Sequence, residues 1–154
     1  MIQFDGEHLP YKGNYVDLDP VYKDKNGDPL LRVTFDWRDN DRRMADFITQ
    51  KGMEIGRAMG AKDMRPLRPL KRYDISKYQS PHVQGGTAMG TSADDSVVNM
   101  YGQHWHAPNL FVVGASIYPQ DAAPNPTLTL VALAYRTADA LVDRYLKKPG
   151  KMLA

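Results

Sequence analysis

Between residues 31 and 37 apolar and polar positions alternate strictly, Leu31, Val33, Phe35 and Trp37 against Arg32, Thr34 and Asp36. A period of two places the apolar set on one face of an extended chain, so the pattern predicts a half-buried strand. Upstream, Tyr15-Val16-Asp17-Leu18 is a second strand-capable piece, and Asn26-Gly27 between the two is a hairpin-type dipeptide. Turn formers punctuate the rest of residues 1–29, at Leu9-Pro10, Gly13-Asn14, Asp19-Pro20 and Asp28-Pro29. Together these predict a small antiparallel sheet over residues 15–37.

From residue 39 the period lengthens. Met44, Phe47, Ile48, Ile55 and Met59 fall near one helical face, and Asp39 or Asn40 can cap its start. A helix over 40–59 is expected to pack on the sheet. Gly52, Gly56 and Gly60 recur every fourth residue, a smooth stripe suited to close approach of another backbone, with Gly60 as the stop. Residues 62–81 then form a basic, proline-spaced connector; a polyanion site is imaginable there, but a solvated loop is the better reading.

Later in the chain, Val97-Val98-Asn99-Met100-Tyr101 is strand-like and Gly102 turns. The Val-rich run from Asn109 to Ala115 is apolar on both sides, as in strands buried on both faces of parallel sheets. The most apolar helix follows, predicted over 126–147. Asn125 is a preferred N-cap, Pro126 suits the first helical position, Lys147 and Lys148 fall in the last turn, and Pro149-Gly150 end it. Such a helix start carries open N–H groups and partial positive charge, so it suits an electron-rich ligand. The fold class expected is α+β, divided into residues 1–81 and 82–154.

Composition narrows the chemistry. The 154 residues are 42% hydrophobic and 25% charged, ordinary globular material, and a net charge of +2 argues against a nucleic-acid partner. Without cysteine there can be no disulfide, thiolate metal site or cysteine nucleophile. The start has no signal-peptide pattern and no run approaches a membrane span, so location stays unassigned.

Histidine offers the candidate chemistry. His82 stands just before Gly85-Gly86-Thr87 and can serve as a general base toward a hydroxyl, or simply as a turn residue bonded to backbone. His104 and His106 form His-x-His, which with His82 could chelate a metal in a non-catalytic binding module. Asp94-Asp95 reads as a solvated turn. Gly-x-Ser-x-Gly, a phosphate-binding loop and the Gly-x-Gly-x-x-Gly fingerprint are all missing.

In combination these segments are more telling. His82-x-x-Gly85-Gly86-Thr87-x-Met89-Gly90, then Ser96-Val97-Val98-Asn99, Pro108 through Ser116 with Pro119, Asn125-Pro126-Thr127-Leu128-Thr129, and Ala132 through Asp139 follow one another in a succession that resembles the C-terminal domain of the glucose-methanol-choline (GMC) oxidoreductases. The branch containing the gluconate dehydrogenase flavoprotein and pyranose oxidase is the most similar. The resemblance is specific over residues 82–139 and looser over 15–60.

The resemblance implies an FAD-dependent oxidation of a CH–OH group. His82 matches the base that takes the hydroxyl proton while hydride passes to the flavin, and Asn125 matches the second active-site residue. Thr127 and Leu128, after Pro126, match the amides facing the flavin's pyrimidine edge; Gly114, Ala115 and Ser116 match the segment that approaches FAD. Residues 1–81 would belong to the substrate domain. The strand and long helix of 82–154 would complete a Rossmann-like FAD domain whose fingerprint lies in an N-terminal portion not in this chain. The isolated chain is therefore expected to bind FAD weakly, to be inactive, and to self-associate into a homo-oligomer through apolar faces that portion would cover. Implied partners are that portion, an alcohol or sugar substrate, and a cytochrome or quinone acceptor, in a periplasmic or membrane-associated setting. A structural subunit that kept the fold without the chemistry is the remaining alternative.

Overall fold

A computed structural model describes residues 2–66, 71–76, 82–120 and 125–153. The parts of the basic connector at 67–70 and 77–81 lie outside the described residues. The chain divides into two compact units, Met1–Gln79 and Ser80–Ala154.

In the first unit, β1 (Tyr15–Lys23) pairs antiparallel with β2 (Pro29–Thr34), with Val16 opposite Val33 and Leu18 opposite Leu31. Asp17 and Arg32 pair across the other face, where the Arg32 guanidinium donates to both carboxylate oxygens. The turn is longer than a two-residue hairpin. Asp24 Oδ1 accepts from the N–H groups of Asn26 (2.8 Å) and Asp28 (3.0 Å), and Gly27 takes φ 92°, where a side chain would be strained.

The expected half-buried strand face is bare in this unit: Leu18, Leu31 and Val33 are each more than 60% exposed. Phe35 and Trp37 instead leave the strand and cluster with His8 and Tyr73, edge-on except for the tilted His8–Phe35 pair, at ring separations between 4.7 and 6.1 Å. Within this unit the alternation assigned the wrong side to the interior over the strand itself, since Arg32 and Thr34 are half-buried while Leu31 and Val33 are exposed.

Helix α1 runs Asp39–Ala58. Asp41 rather than Asp39 or Asn40 secures its start: its Oδ2 accepts the Arg38 N–H at 2.7 Å and its Oδ1 lies 3.1 Å from His8 Nδ1. The Asn14 amide donates toward His8 Nε2 at 3.3 Å, so that nitrogen accepts and Nδ1 carries the proton toward Asp41. At the other end Gly60, at φ 75°, donates to Arg57 O and Ala61 donates to Gly56 O, both at 3.0 Å, as expected for a left-handed glycine stop.

The covered stripe differs from the predicted one. Phe47, Ile55 and Met59 are exposed, and the helix does not pack broadly on the sheet. Gly52 and Gly56 are met by side chains, the Phe4 ring and the Met64 thioether, rather than by another backbone.

The second unit holds β3 (Gln103–His104) paired antiparallel with β4 (Ala107–Phe111), then α2 (Thr127–Asp143), with single 3-10 turns at Ala115–Ile117 and Tyr145–Lys147. Its core gathers Val98, Ile117, Tyr118, Ala140 and Tyr145. Val97–Tyr101 does not form a strand; only Val98 bridges, to Met89 on one side and His104 on the other. The run from Asn109 is not a doubly buried parallel strand: β4 is half of a hairpin, and Leu110 and Val113 are about half exposed. Gly102 turns as expected, at φ 73°, and a Cβ there would meet Val112 O at 2.5 Å. Among the described residues there are two small antiparallel sheets and two helices, and the class is α+β.

Candidate functional site

The residues singled out by sequence all lie in the second unit, and backbone pairing gathers their segments. After His82, which is partly buried, the chain runs alongside residues 115–117. Gly85 N–H donates to Ala115 O (3.4 Å), Thr87 N–H to Ser116 O (2.9 Å) and Met89 N–H to Ile117 O (2.8 Å). Every second N–H of the first segment is bonded while the acceptors advance one residue at a time along the 3-10 turn at 115–117, so the pairing is irregular rather than a strand ladder. Thr87 Oγ1 also donates to Ser116 Oγ at 2.7 Å. From the next residue, the Tyr118 hydroxyl donates to Pro126 O at 3.1 Å, joining the start of α2 to the same place.

The helix start differs by one residue from expectation. Pro126 occupies the capping position, its carbonyl accepts the first helical bond from Leu130 N–H at 2.9 Å, and no side chain caps the end. Asn125 is therefore not the cap. Among the described residues its exposed amide has no hydrogen-bond partner, which removes the competition between capping and ligand binding. The far end also differs: α2 stops at Asp143, and Lys147 belongs to a separate 3-10 turn.

These residues fit a flat, electron-rich ring. The N–H groups of Thr127 and Leu128 begin the helix and have no intrahelical partner. No charge occurs from residue 125 to 135, and Leu128 is 84% exposed at the helix start. Gly114 takes φ 118°, and no atom lies within 4 Å of where its Cβ would be, leaving room for close approach to the backbone. Two residues after His82, the Gln84 Oε1 is buried without a hydrogen-bond partner.

The histidine pair does something else. His104 Nδ1 accepts from the backbone N–H groups of His106 and Ala107, both at 3.1 Å, so it closes the hairpin turn. Among the described residues no three His, Asp or Glu side chains gather as a metal set, so the grouping of His82, His104 and His106 is not formed.

Sequence reasoning missed two clusters. Gln103, fully buried, donates through Nε2 to Pro108 O (2.7 Å) and Lys151 O (2.9 Å) and accepts Leu153 N–H (2.7 Å), tying the tail to the hairpin with help from Asn99. Tyr101 lies under the Arg136 and Arg144 guanidiniums, 5.1 and 4.8 Å from its ring. A hydrogen bond from Arg144, together with the two positive charges, holds its phenol below the usual tyrosine range. Replacing Arg144 by methionine should raise that phenol back toward the ordinary range, read as tyrosinate absorbance against a Tyr101→Phe blank; an unchanged titration would refute the pairing.

A family model for GMC oxidoreductases, that of their C-terminal domain, matches residues 10–134. The chain belongs to the GMC oxidoreductase family. Gluconate 2-dehydrogenase flavoprotein of Pantoea cypripedii is 46% identical over 150 residues, 96% of this chain and 24% of the relative. The 2-methyl-1,2-propanediol dehydrogenase of Mycolicibacterium austroafricanum is 37% identical over 148 residues, 94% of this chain and 25% of that protein. Fructose dehydrogenase large subunit of Gluconobacter japonicus is 33% identical over 139 residues, 89% and 24% respectively. The chain thus spans about a quarter of the length of these GMC relatives. Among the described residues, no helix of this GMC chain is long and apolar enough to cross a membrane.

Proposed function

We propose that this chain supplies the base, the second hydroxyl partner and the helix-end contacts of an FAD-dependent oxidoreductase acting on a CH–OH group. The observation that carries the proposal is the convergence at residues 115–118. The segment following His82 bonds to Ala115, Ser116 and Ile117, and Tyr118 bonds to the start of α2, next to an exposed Asn125 that does not cap the helix. His82 takes the hydroxyl proton, and Asn125 donates to or accepts from the same oxygen. The flavin, when bound, supplies the hydride acceptor. Thr127 and Leu128 offer it their N–H groups at the positive end of α2, where negative charge is stabilised without reorganisation. Gly114, Ala115 and Ser116 let backbone approach it closely.

An N-terminal portion of the same enzyme would hold the rest of FAD, with β4 and α2 completing a Rossmann-like domain and residues 1–81 contributing to the substrate domain. The exposed Leu110, Val113, Leu128, Val131 and Tyr135 are the surface such a portion would cover. The named relatives act on gluconate, a propanediol and fructose, which favours a polyhydroxy substrate, and gluconate is the first to offer. A cytochrome or quinone would accept the electrons.

Expressed with that N-terminal portion, the polypeptide should purify yellow and oxidise a sugar, sugar acid or polyol. This chain alone should retain no flavin and should self-associate by light scattering. A colourless full-length protein would refute the flavin reading, and tight flavin binding by the chain alone would refute the need for the N-terminal portion.

A further inference from the structure

Tyr118 stands where the segments of the proposed site meet. It is 5% exposed, its hydroxyl donates to Pro126 O at 3.1 Å, and its own carbonyl lies 3.4 Å from where a Cβ on Gly85 would project. Ala115, Ser116 and Ile117, just before it, accept the bonds from Gly85, Thr87 and Met89. At the start of α2, Pro126 is buried and its carbonyl carries the hydrogen bonds. Proline has no N–H of its own to bond, and no side chain caps the helix. A carbonyl oxygen has two lone pairs; at Pro126 one takes Leu130 N–H and the other takes the Tyr118 hydroxyl.

We infer that Tyr118 is a positioning residue: through the Pro126 carbonyl it sets the Asn125 amide and the open N–H groups of the first α2 turn in register with the segment that carries His82. The inference rests on the flavin reading above, because the register matters to chemistry only if His82 and that helix end serve one reaction. Tyr118 itself need not touch substrate or flavin. Without the hydroxyl, Pro126 O keeps its bond to Leu130, so the carbonyl is not left unsatisfied. The first turn simply gains freedom, and its N–H groups point less consistently at the ring they would stabilise.

The test is Tyr118→Phe in the full-length polypeptide, read in two arms. In the cofactor-free protein, amide exchange at Leu130 should quicken about fivefold, the equivalent of one ordinary hydrogen bond, while exchange at Ala140 stays unchanged. In the flavin-loaded protein, kcat should fall about fivefold with KM within about twofold, and the flavin midpoint potential should fall. Unchanged exchange at Leu130 overturns the clamp. Faster exchange with kcat and potential both at their wild-type values leaves Tyr118 a merely structural residue and overturns the inference. A full-length protein without flavin overturns the reading beneath it, whatever the exchange arm returns. Tyr145→Phe, at another buried tyrosine of the same unit, should move none of these quantities. If it moves them equally, general loosening is the cause and the inference fails.

Discussion

Alanine at position 82 should lower kcat/KM for the alcohol about a thousandfold in the flavin-loaded enzyme, the middle of the range a positioned base contributes. The flavin content should not change. What holds this segment against residues 115–117 is backbone bonding from Gly85, Thr87 and Met89 together with the Thr87 hydroxyl, and the imidazole contributes to none of those bonds. The loss should fall on kcat more than on KM, because proton removal strengthens in the transition state. Turnover matching the unsubstituted enzyme would place the base elsewhere, and the case for this site would fall with it.

Leucine in place of Gln103 should destabilise the second unit by about 3 kcal/mol, read from the midpoint of denaturant unfolding. Leucine nearly conserves volume, so the loss comes from hydrogen bonds rather than a cavity. The amide serves Pro108 O, Lys151 O and Leu153 N–H from a fully buried position, and Asn99 Nδ2 bonds Leu153 O at 3.0 Å beside it. Each lost bond costs on the order of 1 kcal/mol net. The released tail can reach water, which keeps the total below that of several stranded groups. A change under about 0.5 kcal/mol, typical of a surface site, would mean that the tail is not held by this network.

The network shows where pattern reading stops. A glutamine in a polar, turn-rich stretch reads as surface, and nothing within a few residues of Gln103 signals that Lys151 and Leu153 return to it. His104 makes the complementary point. His-x-His spacing is a fair chelation signal, but Nδ1 is spent on two backbone N–H groups across a hairpin. Whether a ring nitrogen is a ligand or a turn closure depends on the backbone around it.

The Val-rich run and the sheet face diverge from expectation for a different reason. Apolar periodicity tells which side of a strand is apolar, not which surface covers it. β4 pairs in a hairpin, and Leu31 and Val33 stay bare within their unit. At Asn125 the miss was a single residue. Capping preference is local, whereas the peptide plane at Pro126 is shared between Leu130 and the distant Tyr118.

What sequence alone determined was short in range: the two-strand hairpin, the left-handed stop at Gly60, the turn at Gly102, the existence of both helices and, through ordered motifs, the family. The turns and helices depend on φ/ψ preferences and bonds spanning a few residues, the hairpin grows outward from its own turn, and the family rests on the order of separated motifs. The tertiary structure alone decided that residues 85–89 lie against 115–117, that Tyr118 reaches Pro126, and that the tail closes over Gln103. Those contacts join positions far apart in the chain, and their free energy comes from burial and mutual satisfaction of groups that no local pattern pairs.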